Sequence, residues 1–260
     1  MPSWVAFFMG FARQVFFIYS YWYFWKKLGF DPEVTPVSKC KAIKIISSDT
    51  KKIIVEANIS IMLKKNTVFQ ETTIYTFYGD GSVAVYSTTS PETSLTKSQI
   101  SSIPRIGFSF AIRRNLANIT YLGRGPYENY PDRNSCSDVG IWITSPKNMG
   151  YDYIVPSENG NRSDCLWASF TSKDATQQND GFMIIAEEHC KGFSFSALLH
   201  NQRELHCATH THQLQDRKEG EHPIYCNLDF HLMGIGGDAG WLPCVYDEYL
   251  LEPEKIYKSQ

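Results

Sequence analysis

What this chain lacks narrows its class before any motif is read. It has no excess of Lys and Arg: 25 basic residues face 27 acidic ones, and the formal net charge is −2. Binding a phosphate backbone requires a dense basic patch, so nucleic acid is set aside as a partner. The seven cysteines, Cys40, Cys136, Cys165, Cys190, Cys207, Cys226 and Cys244, are scattered singly with no CxxC pair. An odd, dispersed set reads as reduced thiols in a cell interior, several of them buried, and not as a disulfide framework. GxSxG, a P-loop and a strand-linked GxGxxG are missing as well. Hydrolases with a nucleophile elbow, nucleotidases and dinucleotide enzymes therefore have no support. No internal period marks a propeller or solenoid.

Aromatic residues, in contrast, are plentiful. Fifteen Tyr, 16 Phe and 6 Trp make up 14% of the 260 residues, a bias that favours half-buried strands and supplies flat faces on which sugars stack. The first 25 residues, "MPSWVAFFMGFARQVFFIYSYWYFW", carry one charge, Arg13. Their length suits a membrane span, but there is no basic n-region and no small-residue cleavage site, and the Tyr/Trp crowd at 19–25 is interfacial in character. We read 1–24 as an apolar, aromatic segment leading into one domain over 25–260. The expected location is cytoplasmic, with an anchor or signal at 1–25 as the alternative. Sequons at Asn58, Asn118 and Asn161 would matter only in a secretory compartment.

From about Lys39 the pattern is one of short strands. "KKIIVEANISIML" is a strand, and "ETTIYTFYGDGSVAVYSTT" is a hairpin turning at Asp80-Gly81, where both residues tolerate positive φ. Residues 87–104 read as a polar connector. Further strands are expected at "RIGFSFAI", "NITYLG", "VGIWIT", "CLWASFTS", "GFMIIAEEH", "FSFSALLH", "PIYCNLDFHLM" and "CVYDEYLL". Only "NQRELHCATHTHQL" is ambiguous between helix and strand. The fold class is all-β, an antiparallel sandwich or barrel.

Three stretches carry candidate chemistry. In "HCATHTH", a strand would put His206, His210 and His212 on one face, as a transition metal requires, with His200 and His222 nearby. No HExxH or Cys pair accompanies them, and a row of packed, hydrogen-bonded histidines is the competing reading. "LGRGPYENYPDR" interleaves Arg124, Glu128, Asn129, Asp132 and Arg133 with Gly and Pro, and "VPSENGNR" adds Glu158, Asn159 and Arg162. Glu128, Asp132, Glu158 and Asp238 could be nominated as a glycosidase pair, which needs two carboxyls about 5 to 9.5 Å apart. A buried network of ion pairs holding loops is the alternative. Finally, "MGIGGDAGWLP" sets Trp241 on a loop with Gly234, Gly236, Gly237 and Gly240, which is either a connector or a site.

Taken in order, "IPRIGFSF", "YLGRGPYENYPDR", "VPSENGNR", "ATHTHQL" and "MGIGGDAGW" resemble the C-terminal domain of the bacterial-type β-galactosidases of glycoside hydrolase family 2. That domain is a separate small subunit in two-chain versions of the enzyme. The resemblance covers roughly residues 25–257, and "FWKKLGFD" near residue 27 looks like its beginning. It implies an antiparallel β supersandwich related to galactose mutarotase. It also implies that the two catalytic glutamates and the magnesium ligands lie on a TIM barrel, in a preceding domain or a large partner subunit, so that no catalytic residue or metal belongs to this chain. The expected role is to help that oligomeric assembly hydrolyse terminal, lactose-like β-D-galactosides. By the same match Trp241 stacks on the sugar at the mouth of the active site. Two departures are visible: the first 24 residues do not match, and Tyr121 stands where the family often has Trp. Two rivals remain. One is a stand-alone carbohydrate-binding or aldose-epimerase-like module with Glu158 and His206 or His210 as acid and base. The other is a remnant with only structural capacity.

Overall fold

The structure is a computed structural model that describes residues 25, 27–28, 37–63, 66–92, 100–172, 180–188, 191–214, 222–236 and 245–259. The segment 1–24, and with it the question of an anchor, lies outside these residues, as do Trp241 and Asp238. Among the described residues no helix is long and apolar enough to cross a membrane.

Thirteen strands in these residues form three antiparallel sheets. The first holds β1 (Val37–Ser48), β2 (Lys52–Leu63), β3 (Asn66–Tyr78), β4 (Val83–Pro91) and β13 (Tyr257–Ser259), in that order. The second has the order β10-β9-β6-β7, built from β6 (Asn118–Gly125), β7 (Asp138–Thr144), β9 (Trp167–Thr171) and β10 (Gly181–Ile185). The third has the order β5-β12-β11-β8, with β5 (Arg105–Ile112), β8 (Arg162–Cys165), β11 (Phe193–Leu198) and β12 (Ile224–Leu232).

The β3–β4 hairpin turns where the sequence indicates. Phe77 pairs with Val83, Gly81 has φ +90°, and the Asp80 carboxylate accepts from the Ser82 amide at 2.8 Å. Two other expectations are corrected and one ambiguity is resolved. The polar stretch from residue 87 stays in β4 through Pro91, because Ser87 and Thr89 are buried opposite Thr73 and Glu71, with Ser87 and Thr73 both donating to the Glu71 carboxylate. "CVYDEYLL" contains a 3-10 turn at Asp247–Tyr249 and no strand over 245–251. The ambiguous His-rich stretch is a helix, Gln202–Cys207, followed by a 3-10 turn at Thr211–Gln213. Asn201 and Glu204 start that helix as a reciprocal capping box, each side chain accepting from the other's amide at 2.9 Å.

The main core fills the space between the second and third sheets. Period-two alternation sends Ile119 and Tyr121 of β6 and Ala168 and Phe170 of β9 inward, against Phe193, Phe195, Ile224 and Cys226. A second cluster joins Ile61, Leu63 and Phe69 of the first sheet to Trp25, Tyr130, Leu232 and Tyr257. The opposite face of the third sheet is buried yet polar. Ser196 faces Asn227 across the β11–β12 ladder, and Ser194 faces Asp229. That polar face positions the charged cluster described next. Of the described cysteines, Cys165 and Cys226 are buried and Cys40, Cys136 and Cys207 exposed, all as free thiols.

Candidate functional site

The loop after β6 is the organising element. Leaving β6, it passes the cis Gly125-Pro126 peptide and turns back at Tyr130, whose amide and carbonyl pair with those of Arg133 at 3.0 Å. Asn129 is fully buried and ties it to "VPSENGNR". Its Oδ1 accepts from the Ser163 amide at 2.9 Å, its Nδ2 donates to the Arg124 and Tyr127 carbonyls at 3.0 Å, and its own carbonyl accepts from Asn161 Nδ2 at 2.7 Å. Glu128 binds Arg133 Nη2 at 2.5 Å and the Gly160 amide at 2.9 Å, and also accepts from the Tyr153 hydroxyl.

Asp132 reaches a third motif. Its two carboxylate oxygens accept from the amides of Ile235 at 3.0 Å and Gly236 at 2.7 Å. This fixes the start of the Gly-rich loop. Gly234 must be glycine here, because a Cβ would sit 2.5 Å from Asp132 Oδ2 and 2.9 Å from Val245 Cγ1. The Gly234 amide in turn donates to the Tyr249 carbonyl at 2.9 Å. Both described flanks of the loop that carries Trp241 are thus held to the body of the domain.

Below this lies a buried triad. Arg105 of β5 spans Asp229 of β12 at 2.6 Å and Glu158 at 3.2 Å, all three side chains fully buried. Gln202 Nε2 donates to Glu158 at 2.9 Å. Two carboxyls share one guanidinium, and burial penalises their charge. Burial lifts Glu158 to about 7 against the pull of Arg105 and lifts Asp229 to about 6. Burial also works against the charge on Arg105, but Asp229 and Glu158 together hold it above its ordinary value.

The nominated carboxylates are therefore committed separately: Glu128 to Arg133, Tyr153 and Gly160, Asp132 to two loop amides, and Glu158 to Arg105 and Gln202. The network reading describes them, with the partner of Glu158 being Arg105 and not Arg162. Arg162 is buried with its Nε donating to Tyr121 Oη at 3.1 Å. The histidines do not share a strand face. His206 is buried on the helix, while the exposed rings of His210 and His212 stack 5.4 Å apart. Among the described residues no three His, Cys, Asp or Glu side chains are grouped to hold a metal ion. Arg105, Asp229, Tyr153 and Gln202 were not singled out from sequence. An Arg opening the strand "RIGFSFAI" and an Asp within "IYCNLDFHL" are the signals that mark the first two.

An all-β domain of three antiparallel sheets, with one long loop pinning a Gly-rich loop, is the class this geometry defines. The family model for "Beta galactosidase small chain" matches residues 19–260, and the chain belongs to that family, whose fold is the mutarotase-like supersandwich. It is 37% identical over 155 residues to a β-galactosidase of Leuconostoc mesenteroides, covering 60% of this chain and 14% of that one. It is 30% identical over 222 residues to a β-galactosidase of Psychromonas ingrahamii, covering 85% of this chain and 19% of the relative. A third β-galactosidase, from Lactococcus lactis, is 35% identical over 147 residues. The chain thus spans less than a fifth of the length of these relatives.

Proposed function

We propose that this chain completes the active site of a retaining β-galactosidase whose catalytic glutamates and magnesium lie on a separate domain or large subunit. Trp241, on the loop anchored by Asp132, stacks its indole on the apolar face of a terminal β-D-galactoside. The observation that carries this reading is the anchor itself: two backbone amides at the start of the loop are fixed by one carboxylate. An ordered base lowers the entropy lost when the loop engages a sugar in a partner's pocket.

A partner is further supported by an open sheet face. Val139, Ile141 and Ile143 of the edge strand β7 are 61%, 66% and 82% exposed, and Met183 and Ile185 of the opposite edge strand β10 are exposed too. Apolar area of this kind marks a surface that another chain covers. The epimerase reading is weaker, because Glu158 is spent on Arg105 and Gln202.

The test is reconstitution with a chromogenic galactoside. The chain alone should be inactive, and adding a matching large subunit should restore turnover. Trp241→Ala should raise KM by about tenfold, the worth of one aromatic stacking contact, with the domain still folded. Strong activity from the isolated chain, or an unchanged KM in the variant, contradicts the proposal.

A further inference from the structure

Between the β5–β6 loop, the segment 145–159 and the end of β11 lies a cavity of about 790 Å³, a volume in the range of pockets that take small ligands. It shares no lining residue with the Asp132 anchor. Leu198, Leu205, Leu214 and Pro146 supply apolar surface. On one wall the rings of Tyr151 and Tyr153 lean together at 4.7 Å, and Tyr151 is 63% exposed. An accessible phenol ring beside apolar surface matches the C–H face of a pyranose.

This wall is fixed in place. Thr211 donates from its hydroxyl to the Tyr153 carbonyl at 2.5 Å and from its amide to the Ile154 carbonyl at 3.3 Å. The Tyr151 amide donates to Asn159 Oδ1 at 3.3 Å, and the Tyr153 hydroxyl is held by Glu128. The "ATHTHQL" stretch therefore has a task as a brace for this pocket, which its histidines alone do not reveal.

The charge in the cavity is unbalanced. Arg114, Lys147 and Asp152 all line it, and none of them makes an ion pair among the described residues. Two cations face one acid. Moreover, Arg114 Nη1 is buried with no hydrogen-bond partner among the described residues. Arg114 itself is only partly buried, so the rest of its guanidinium is what the cavity meets. Its planar fork suits a carboxylate or a phosphate.

We propose that this cavity is a binding site for a hexose bearing an oxyanion, with the sugar ring against Tyr151 and the anion on Arg114 and Lys147. A uronate and a sugar phosphate share that chemistry. Titration calorimetry of the full chain with D-galacturonate, galactose 6-phosphate, galactose and inorganic phosphate tests it. At least one anionic sugar should bind saturably and more tightly than both galactose and phosphate. Which of the two it is identifies the anion. Arg114→Gln should weaken that binding by about ten- to a hundredfold, the worth of a charge-assisted hydrogen bond. Tyr151→Ala, at an exposed position that does not endanger the fold, should weaken it independently. The inference is overturned if neither anionic sugar binds, if galactose or phosphate binds as tightly, or if both variants retain wild-type affinity with unchanged circular dichroism.

Discussion

Replacing Asp132 by Asn is the sharpest probe of the anchored loop. The side chain keeps its shape, but one of its two acceptor oxygens becomes an NH2 group. Asp132 now accepts from Ile235 at 3.0 Å and Gly236 at 2.7 Å. In the variant one of these amides faces a donor, so one hydrogen bond to a charged group is lost and the other becomes neutral. Hydrogen bonds to charged groups contribute about 1.5–3 kcal/mol each, so opening of the loop base should become easier by about that amount. Hydrogen–deuterium exchange at the Ile235 and Gly236 amides then accelerates by about 10- to 150-fold, while the β5–β12 ladder, far more deeply buried, keeps its protection. In a reconstituted enzyme the same substitution should raise KM more than it lowers kcat, since it acts on loop order and not on the reacting bond. Unchanged exchange at both amides would refute the idea that Asp132 holds the loop.

Two further outcomes follow from the buried groups. Glu158 and Asp229 have folded-state pKa values raised by burial to about 7 and about 6. Their contribution to stability is therefore complete below the ordinary carboxyl range and is lost as pH rises through those values. Glu158→Gln imitates the protonated form and should remove on the order of 3 kcal/mol of this pH dependence at most, read as flatter urea midpoints between pH 5 and 7.5. Equal pH slopes for both proteins would count against it. Phe195→Ala should cost about 3–5 kcal/mol in the same urea assay, because the ring is 1% exposed and packs against Tyr121, Phe170 and Phe193. A loss below about 1 kcal/mol would mean that the core relaxes around the gap.

Where the sequence could be read, local chemistry decided the structure. Asp80-Gly81 turns because its backbone and side chain favour that turn. "RIGFSFAI" is β5 to the residue because its neighbours end it. The His-rich stretch stays ambiguous by periodicity, and what decides it is its own start signal, Asn201 with Glu204 three residues on. "CVYDEYLL" failed as a strand: β-prone residues alone do not make a strand where no neighbouring ladder is at hand, and 247–249 coil into a turn instead. The motifs around the site were legible as motifs, but their partners were not. Arg105 meets Glu158 and Asp229, and Asp132 meets Gly236, across long stretches of chain. Such distances are settled by the packing of three sheets and leave no periodic trace.

The seating of β13 bears on how the chain is made. Tyr257 closes the first sheet by pairing with Thr89 at the edge of β4, and it also enters the second core cluster. During synthesis β1 to β4 emerge early, yet the strand that covers the β4 edge follows them by more than 160 residues. Until then the Ser87–Thr89 edge of β4 stands open, the kind of surface that pairs with other chains. Bulky sequence placed next to Ser259 would hinder the β13–β4 pairing, so a reporter or affinity tag put there is better separated from β13 by a flexible spacer.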